Sequence, residues 1–521
     1  MVNTTIIILL ILMGNPLVEM KPDTSISSIS GKKNYFFSAA GDDLAEGSIQ
    51  HPFATLQKLN SLHLQPGDSV CLKGGEVFKG TMVIDSGSAG TSAQPITVTS
   101  YGSGRAIIQA GNASAVFVYK CKYLDVSNLR CEGAGRKNGN IKDGLIISHC
   151  ANIKARDIEV EGFQKSGFLV DNSSLTSLTN IHAHENGSAG ILVSGTNNKA
   201  DCRDIYIGNC LAENNPGDPT NLTNHSGNGI LAGFCSNVLI EYCTATNNGW
   251  DMPRIGNGPV GIWCYEADRV TIQHCLSYRN KTSVGGADGG GFDLDGGVTN
   301  SVIQYCLSYE NQGAGYCLFQ YLYASPWHDN VVRYNISEND GSVSDAGAGL
   351  YVWNSSRDEK QFYNSVCYNN TIYNKKGAAI SYSELSKRTQ FRFYNNIFAG
   401  RDTLIKGIKG NDVFLANDWW SLTQRFNIEG MRNFVMWARQ GKQEMLSGKV
   451  VGLNILPAFA QPGSTALTRA SGLKTFECYA ISPDSPLRIR GLDLNRLYKM
   501  QTGNRDFNQH PNPKRGIGAS F

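Results

Sequence analysis

Two aspartates in the run Gly291-Phe292-Asp293-Leu294-Asp295 are spaced for chemistry. In an extended chain side chains alternate, so Phe292 and Leu294 share one face while Asp293 and Asp295 share the other. Two carboxyls on one face can divide general acid and base roles across a glycosidic bond. Residues i and i+2 of a strand lie about 6.6 Å apart. That is compatible with the roughly 6.5–9.5 Å kept by inverting glycosidases and longer than the roughly 5–5.5 Å of retaining ones. The same pair could instead solubilise an exposed strand, or bind Ca²⁺ together with Asp288.

The flanking units supply a second ingredient. A glycine followed by alternating side chains recurs at Gly229, Gly261, Gly291, Gly315 and Gly349. Aligned on it, the outward pairs run Leu231/Gly233, Trp263/Tyr265, Asp293/Asp295, Cys317/Phe319 and Tyr351/Trp353. Trp263, Tyr265, Phe319, Tyr351 and Trp353 are therefore the candidate platform for stacking on sugar faces. Insertions between strands are expected to wall this groove: 211–228 with His225, 249–260 with Asp251 and Arg254, and 280–290 with Asp288. Residues 320–330 add Tyr321, Tyr323, Trp327 and His328. Asp251, Asp288 and His328 are the accessory polar candidates; no residues are assigned to a metal.

The element that must position these residues is a stacked coil. The glycine motif begins earlier, at Gly144, Gly167 and Gly190. Each unit adds a second short strand, as in NVLIEY (237–242) and RVTIQH (269–274). Short β-runs at a variable period of at least about 23 residues fit a β-helix, whose coils bury their apolar faces only by stacking. A propeller blade would need four strands per unit of about 40 residues. Asn214, Asn247, Asn280, Asn311, Asn339 and Asn374 follow the second strand and are expected to stack at one turn.

Cys210, Cys243, Cys275 and Cys306, among 14 Cys, fall at equivalent points and read as a ladder of small buried thiols. The ends of the coil need covering. Residues 53–62 can form a short helix at the front. At the back, residues 430–442 place Met431, Phe434, Val435 and Ala438 on one helical face with Gly441 as a stop. The expected layout is an all-β chain: a single right-handed parallel β-helix over 35–415, with an N-terminal cap helix and a C-terminal cap segment over 416–521.

With 57 Gly, 17% charged residues and a net charge of +3, the chain is neither disordered nor a nucleic-acid binder. The apolar run Ile6–Met13 is too short to span a bilayer and suits the core of a signal peptide over residues 1–20. A secreted or periplasmic monomer is expected.

The opening YFFSAAGDDLAEGSIQHPFATLQKL, the central DGGGFDLDGGVTNSVIQYCLSYENQGAGY and the close DFNQHPNPKRGIGASF resemble pectin-lyase-like β-helix proteins, a broad group of secreted bacterial carbohydrate-active proteins. The resemblance implies the fold and a polysaccharide or oligosaccharide partner, but not one reaction. A glycoside hydrolase using Asp293 and Asp295 without a cofactor is the leading reading. A polysaccharide lyase would need Ca²⁺ and a basic residue, to be drawn from Arg254, Lys281, Arg333 or Lys360. A non-catalytic glycan binder needs the aromatics alone. The polygalacturonase motifs Asn-Thr-Asp, Gly-His-Gly and Arg-Ile-Lys are missing from the central coils.

Overall fold

The computed structural model describes residues 32–343, 347–356, 358–383, 390–407 and 410–521. The expected leader, residues 1–20, lies outside them. Parallel ladders join 36 strands into one continuous sheet that winds as a right-handed β-helix. Each coil presents three faces, in places through one long strand such as Ser174–His184 that spans two of them, and each face pairs with the equivalent face one coil on.

The interior is built by rows of like side chains. Leu145, Phe168, Ile191, Ile230, Ile262, Phe292, Tyr316 and Leu350 are consecutive register partners, and all are buried. Each coil adds one member to a row, so the repeat is the core. Cys210, Cys243, Cys275 and Cys306 are buried free thiols; each Sγ sits 3.2–3.3 Å from the carbonyl oxygen two residues earlier.

The amide stack at the turn includes the expected Asn280 and Asn311, and Asn247 Nδ2 donates to Asn214 Oδ1 at 2.9 Å beside it, but elsewhere the buried row runs through the residue after the expected one. Its buried members are Asn186, Asn215, Asn248, Asn280 and Asn311, ending on Asp340, with Nδ2 to Oδ1 contacts of 2.8–3.1 Å. Asn214, Asn247 and Asn339 instead occupy the left-handed region at φ 55°, 52° and 56°. In these paired runs the first residue turns the chain, which Asn tolerates, and the second points inward.

At the front, helix α1 (Leu56–Asn60) is capped by the Thr55 side chain and buries Leu56 and Leu59 over the first coil. At the back, parallel pairing continues past residue 415, through Asp418–Ser421 and Asn427–Ile428. Helix α2 (Phe434–Gln440) then closes the bore. Asn433 caps it, so it starts three residues after Met431 and its buried stripe is Phe434, Trp437 and Ala438. Val435, expected on that stripe, is 43% exposed. The remaining chain is more than a cap: it straps the outer face of the third sheet. The Ala470 amide donates to Thr244 Oγ1 (2.9 Å), Tyr479 donates to Glu338 (2.7 Å), and Asn369 Nδ2 donates to the Gly516 carbonyl (2.8 Å). Among the described residues no helix is long and apolar enough to cross a membrane.

Candidate active site

The outward rows form as the repeat predicts. Leu231, Trp263, Asp293, Cys317 and Tyr351 are successive partners across five coils. In the next row Gly233 pairs with Tyr265, and Phe319 with Trp353. Asp295 continues this row just past the strand Gly290–Leu294, where its amide donates to the Cys264 carbonyl at 2.9 Å.

Over these rows lies a cleft of about 1020 Å³. Its floor includes Trp263, Tyr265, Asp295, Phe319, Tyr351 and Trp353; one wall comes from three insertions, through His225, Arg254 and Asp288. All five aromatic candidates line it, but unequally. Trp263 and Phe319 are 3% and 6% exposed, leaving the larger open surface to Tyr265, Tyr351 and Trp353. The Phe319 ring meets Tyr351 and Trp353 edge-on at 5.2 and 5.8 Å, which fixes both rings around the floor.

The two carboxyls that face the cleft are Asp288 and Asp295, not Asp293 and Asp295. Asp293 points away from the apolar bore, yet it is only 2% exposed, and its Oδ1 has no hydrogen-bond partner. Its register partners in the neighbouring coils are Trp263 and Cys317, both buried as well. Burial, then the nearby Asp295 and Asp288, holds its carboxyl well above the usual range. A carboxyl is matched in shape by an amide. Asp293→Asn is therefore expected to keep kcat/KM within about fivefold of wild type; a loss of several hundredfold in the steady-state assay would put Asp293 itself in the chemistry.

Asp295 is held by its surroundings on both sides. Its Oδ1 accepts from the Gly296 amide at 2.7 Å. The next residue is pinned at both backbone groups: Gly297 N–H donates to Gln320 Oε1 (3.1 Å), and Lys199 Nζ donates to its carbonyl. A Cβ at position 296 would lie 2.3 Å from the Tyr321 ring and 2.7 Å from the Ala324 Cβ, so a side chain there would push Tyr321 out of place. Desolvation raises the Asp295 carboxyl to about 7, against the Gly296 bond and with help from Asp288 and Glu266.

Asp288 enters from the insertion wall with φ 58°, a left-handed conformation that Asp tolerates. Its Oδ2 accepts from the Gly258 amide at 2.7 Å. A Cβ at Gly258 would lie 2.1 Å from the Ala287 carbonyl, so the two insertions approach too closely for any side chain there. Burial raises Asp288 to about 6, while the Gly258 bond and Arg254 oppose the rise. The pair is thus two acids with different environments across one cleft, the condition for splitting acid and base roles.

Two accessory candidates lie elsewhere. Asp251 turns away to pair with Arg136 and with Lys137 at 2.6 Å, which help hold its carboxyl below the usual range. His328 stacks on Tyr363 at 5.0 Å, and its Nδ1 contacts Asp329 at 2.6 Å. In each case a neighbouring element offered a charged or aromatic partner nearer than the groove. Tyr321 does join the cleft, whereas Tyr323 is exposed and Trp327 fills the bore. Sequence reasoning missed Asn228, which lies just before the Gly229 of a repeat and hydrogen-bonds both Trp263 and His225.

Among known families, the model of the Pel9A-like right-handed β-helix region matches residues 35–387. A lacto-N-biosidase of Bifidobacterium longum subsp. longum is 24% identical over 493 aligned residues, covering 72% of this chain and 29% of the relative. The chain thus spans less than a third of that relative's length. A solved GH136 lacto-N-biosidase from Eubacterium ramulus superposes with a TM-score of 0.50 at 19% identity, over 72% of this chain and 68% of the other. A family 6 alginate lyase superposes with a TM-score of 0.50 at 14% identity, over 82% of this chain and 55% of the other. These superpositions speak to the fold alone. With a family match over most of its length and the coil geometry to go with it, the chain belongs to the Pel9A-like right-handed β-helix family.

Proposed function

We propose that this protein is a glycoside hydrolase acting on a neutral glycan, with Asp295 as general acid and Asp288 as nucleophile or general base. The observation that carries the reading is the pair of desolvated carboxyls, about 7 and about 6, facing one aromatic-lined cleft. Protonated Asp295 gives its proton to the leaving glycosidic oxygen as the bond to the anomeric carbon breaks. Ionised Asp288 attacks that carbon or takes a proton from the water that does. The aromatic floor holds the sugar and excludes bulk water, which strengthens both roles. The lacto-N-biosidase relative supports hydrolysis over elimination and makes an aryl lacto-N-bioside the first probe.

The charge of the cleft argues in the same direction. A lyase acting on uronates needs cations against the acid groups, and here two carboxyls face Arg254. Arg333 is spent on Gln304 and Tyr368, at 2.8 and 2.7 Å. We further propose that the enzyme works as an exported monomer, the export resting on the Ile6–Met13 run.

The pH profile checks the assignment of roles. Asp288 must be ionised, so kcat/KM should climb as pH rises through about 6; Asp295 must be protonated, so it should fall as pH rises through about 7. The expected profile is a narrow bell whose limbs belong to the pair. A flat profile between pH 5 and 8 would sink the two-carboxyl reading.

A further inference from the structure

His225 stands at the cleft wall, edge-on to the Trp263 ring at 4.8 Å. Which of its nitrogens carries the proton follows from Asn228, whose amide orientation is fixed by groups that cannot change roles. The Trp263 Nε1–H and the Val260 N–H can only donate, and they reach Asn228 Oδ1 at 3.0 and 3.3 Å. The Ser188 carbonyl can only accept, and Asn228 Nδ2 reaches it at 3.0 Å. The second Nδ2 hydrogen therefore points at His225 Nδ1, also 3.0 Å away. Nδ1 must be an acceptor, so the proton is on Nε2.

Resting on the hydrolase reading, we propose that His225 is a substrate-binding residue locked as the Nε2–H tautomer, a neutral donor to an acceptor oxygen of the bound sugar. The indole that floors the cleft thus also sets, through Asn228, the polarity of its wall. Burial and the nearby Arg254 press the imidazole down to about 4, so the donor stays uncharged wherever the carboxyl pair works. A neutral N–H serves a hydroxyl or carbonyl oxygen and brings no cation to offset the charge of a uronate, in keeping with an uncharged glycan.

The substitutions divide geometry from bulk. Gln places an amide N–H near the site of Nε2, so His225→Gln should keep kcat/KM within about fivefold, while His225→Leu should lose roughly 10- to 100-fold. Asn228→Asp presents an oxygen to Nδ1 and should move the proton there, costing a similar factor and adding a new ionisation to the pH profile. Nitrogen NMR of the full wild-type chain, labelled at histidine, should show Nε2 protonated and Nδ1 bare from pH 5 to 8. A protonated Nδ1, equal losses for the Gln and Leu variants, or an unaffected Asn228→Asp enzyme would each overturn the proposal. If wild type turns over no aryl lacto-N-bioside or other neutral glycoside, the hydrolase reading and the binding role fall together. The tautomer is still judged by the NMR, which needs no turnover.

Discussion

Asp295→Asn is expected to lower kcat about a thousandfold on a natural glycan while leaving the fold intact, because general acid–base groups contribute roughly 10²–10⁴. The change is isosteric, and an amide can still meet the Gly296 amide through its oxygen, so the Gly296–Gly297 turn needs no rearrangement. What it removes is the transferable proton. The leaving group then separates the two carboxyls. An aryl glycoside departs without protonation, so Asp295→Asn should recover much of its kcat/KM on that substrate, which reports the bond-breaking step whether Asp288 is nucleophile or base. Asp288→Asn should stay about a thousandfold down on both, since a nucleophile or base is needed whatever leaves. Equal losses on both substrates for both variants would remove the assignment of Asp295 as the acid. Full activity in both would remove the site.

The second large effect is on stability. Trp437→Ala is expected to cost about 3–5 kcal/mol, the range for truncating a buried aromatic. Trp437 is fully buried, meets Trp419 at 5.3 Å and 70°, and packs beside Phe434 at 6.2 Å. It seals the bore at its last coil. A stacked repeat loses structure from an opened end before its middle. Hydrogen exchange should therefore show lost protection in the strands Arg392–Tyr394, Ile397–Gly400 and Asp418–Ser421, with Leu145–Ser148 and Ser166–Asp171 unchanged. Uniform loss across all coils would mean that α2 is not an end seal.

These two predictions draw on residues that were unequally legible. The repeat motif carries the register, because one glycine and a two-residue alternation align every coil; Trp263, Tyr265, Phe319, Tyr351 and Trp353 followed from it without further information. Alternation says which side of the strand a residue takes, but not what covers that side. Asp293 shows the difference: outward from the bore, it is nonetheless buried, as are its register partners Trp263 and Cys317. Asp288 lies in an insertion, where no period sets geometry, and its place depends on the close approach of Gly258. Asp251 was drawn off by two cations distant in sequence, Arg136 and Lys137. Trp437 was hidden by a helix start that Asn433 sets three residues later than the apolar pattern implied.

On the proposed reading, Asp288 and Asp295 together hydrolyse a glycosidic bond in the aromatic cleft. Incubating wild type and the two Asn variants with an aryl lacto-N-bioside, a panel of neutral oligosaccharides, polygalacturonate and alginate in heavy-oxygen water, then weighing the products, tests it directly. The expected result is release of neutral sugar carrying one heavy oxygen at its reducing end, and sharply reduced release from the natural glycans by either variant. Unsaturated uronate products free of the label, or label incorporation that persists undiminished in both variants, would contradict it.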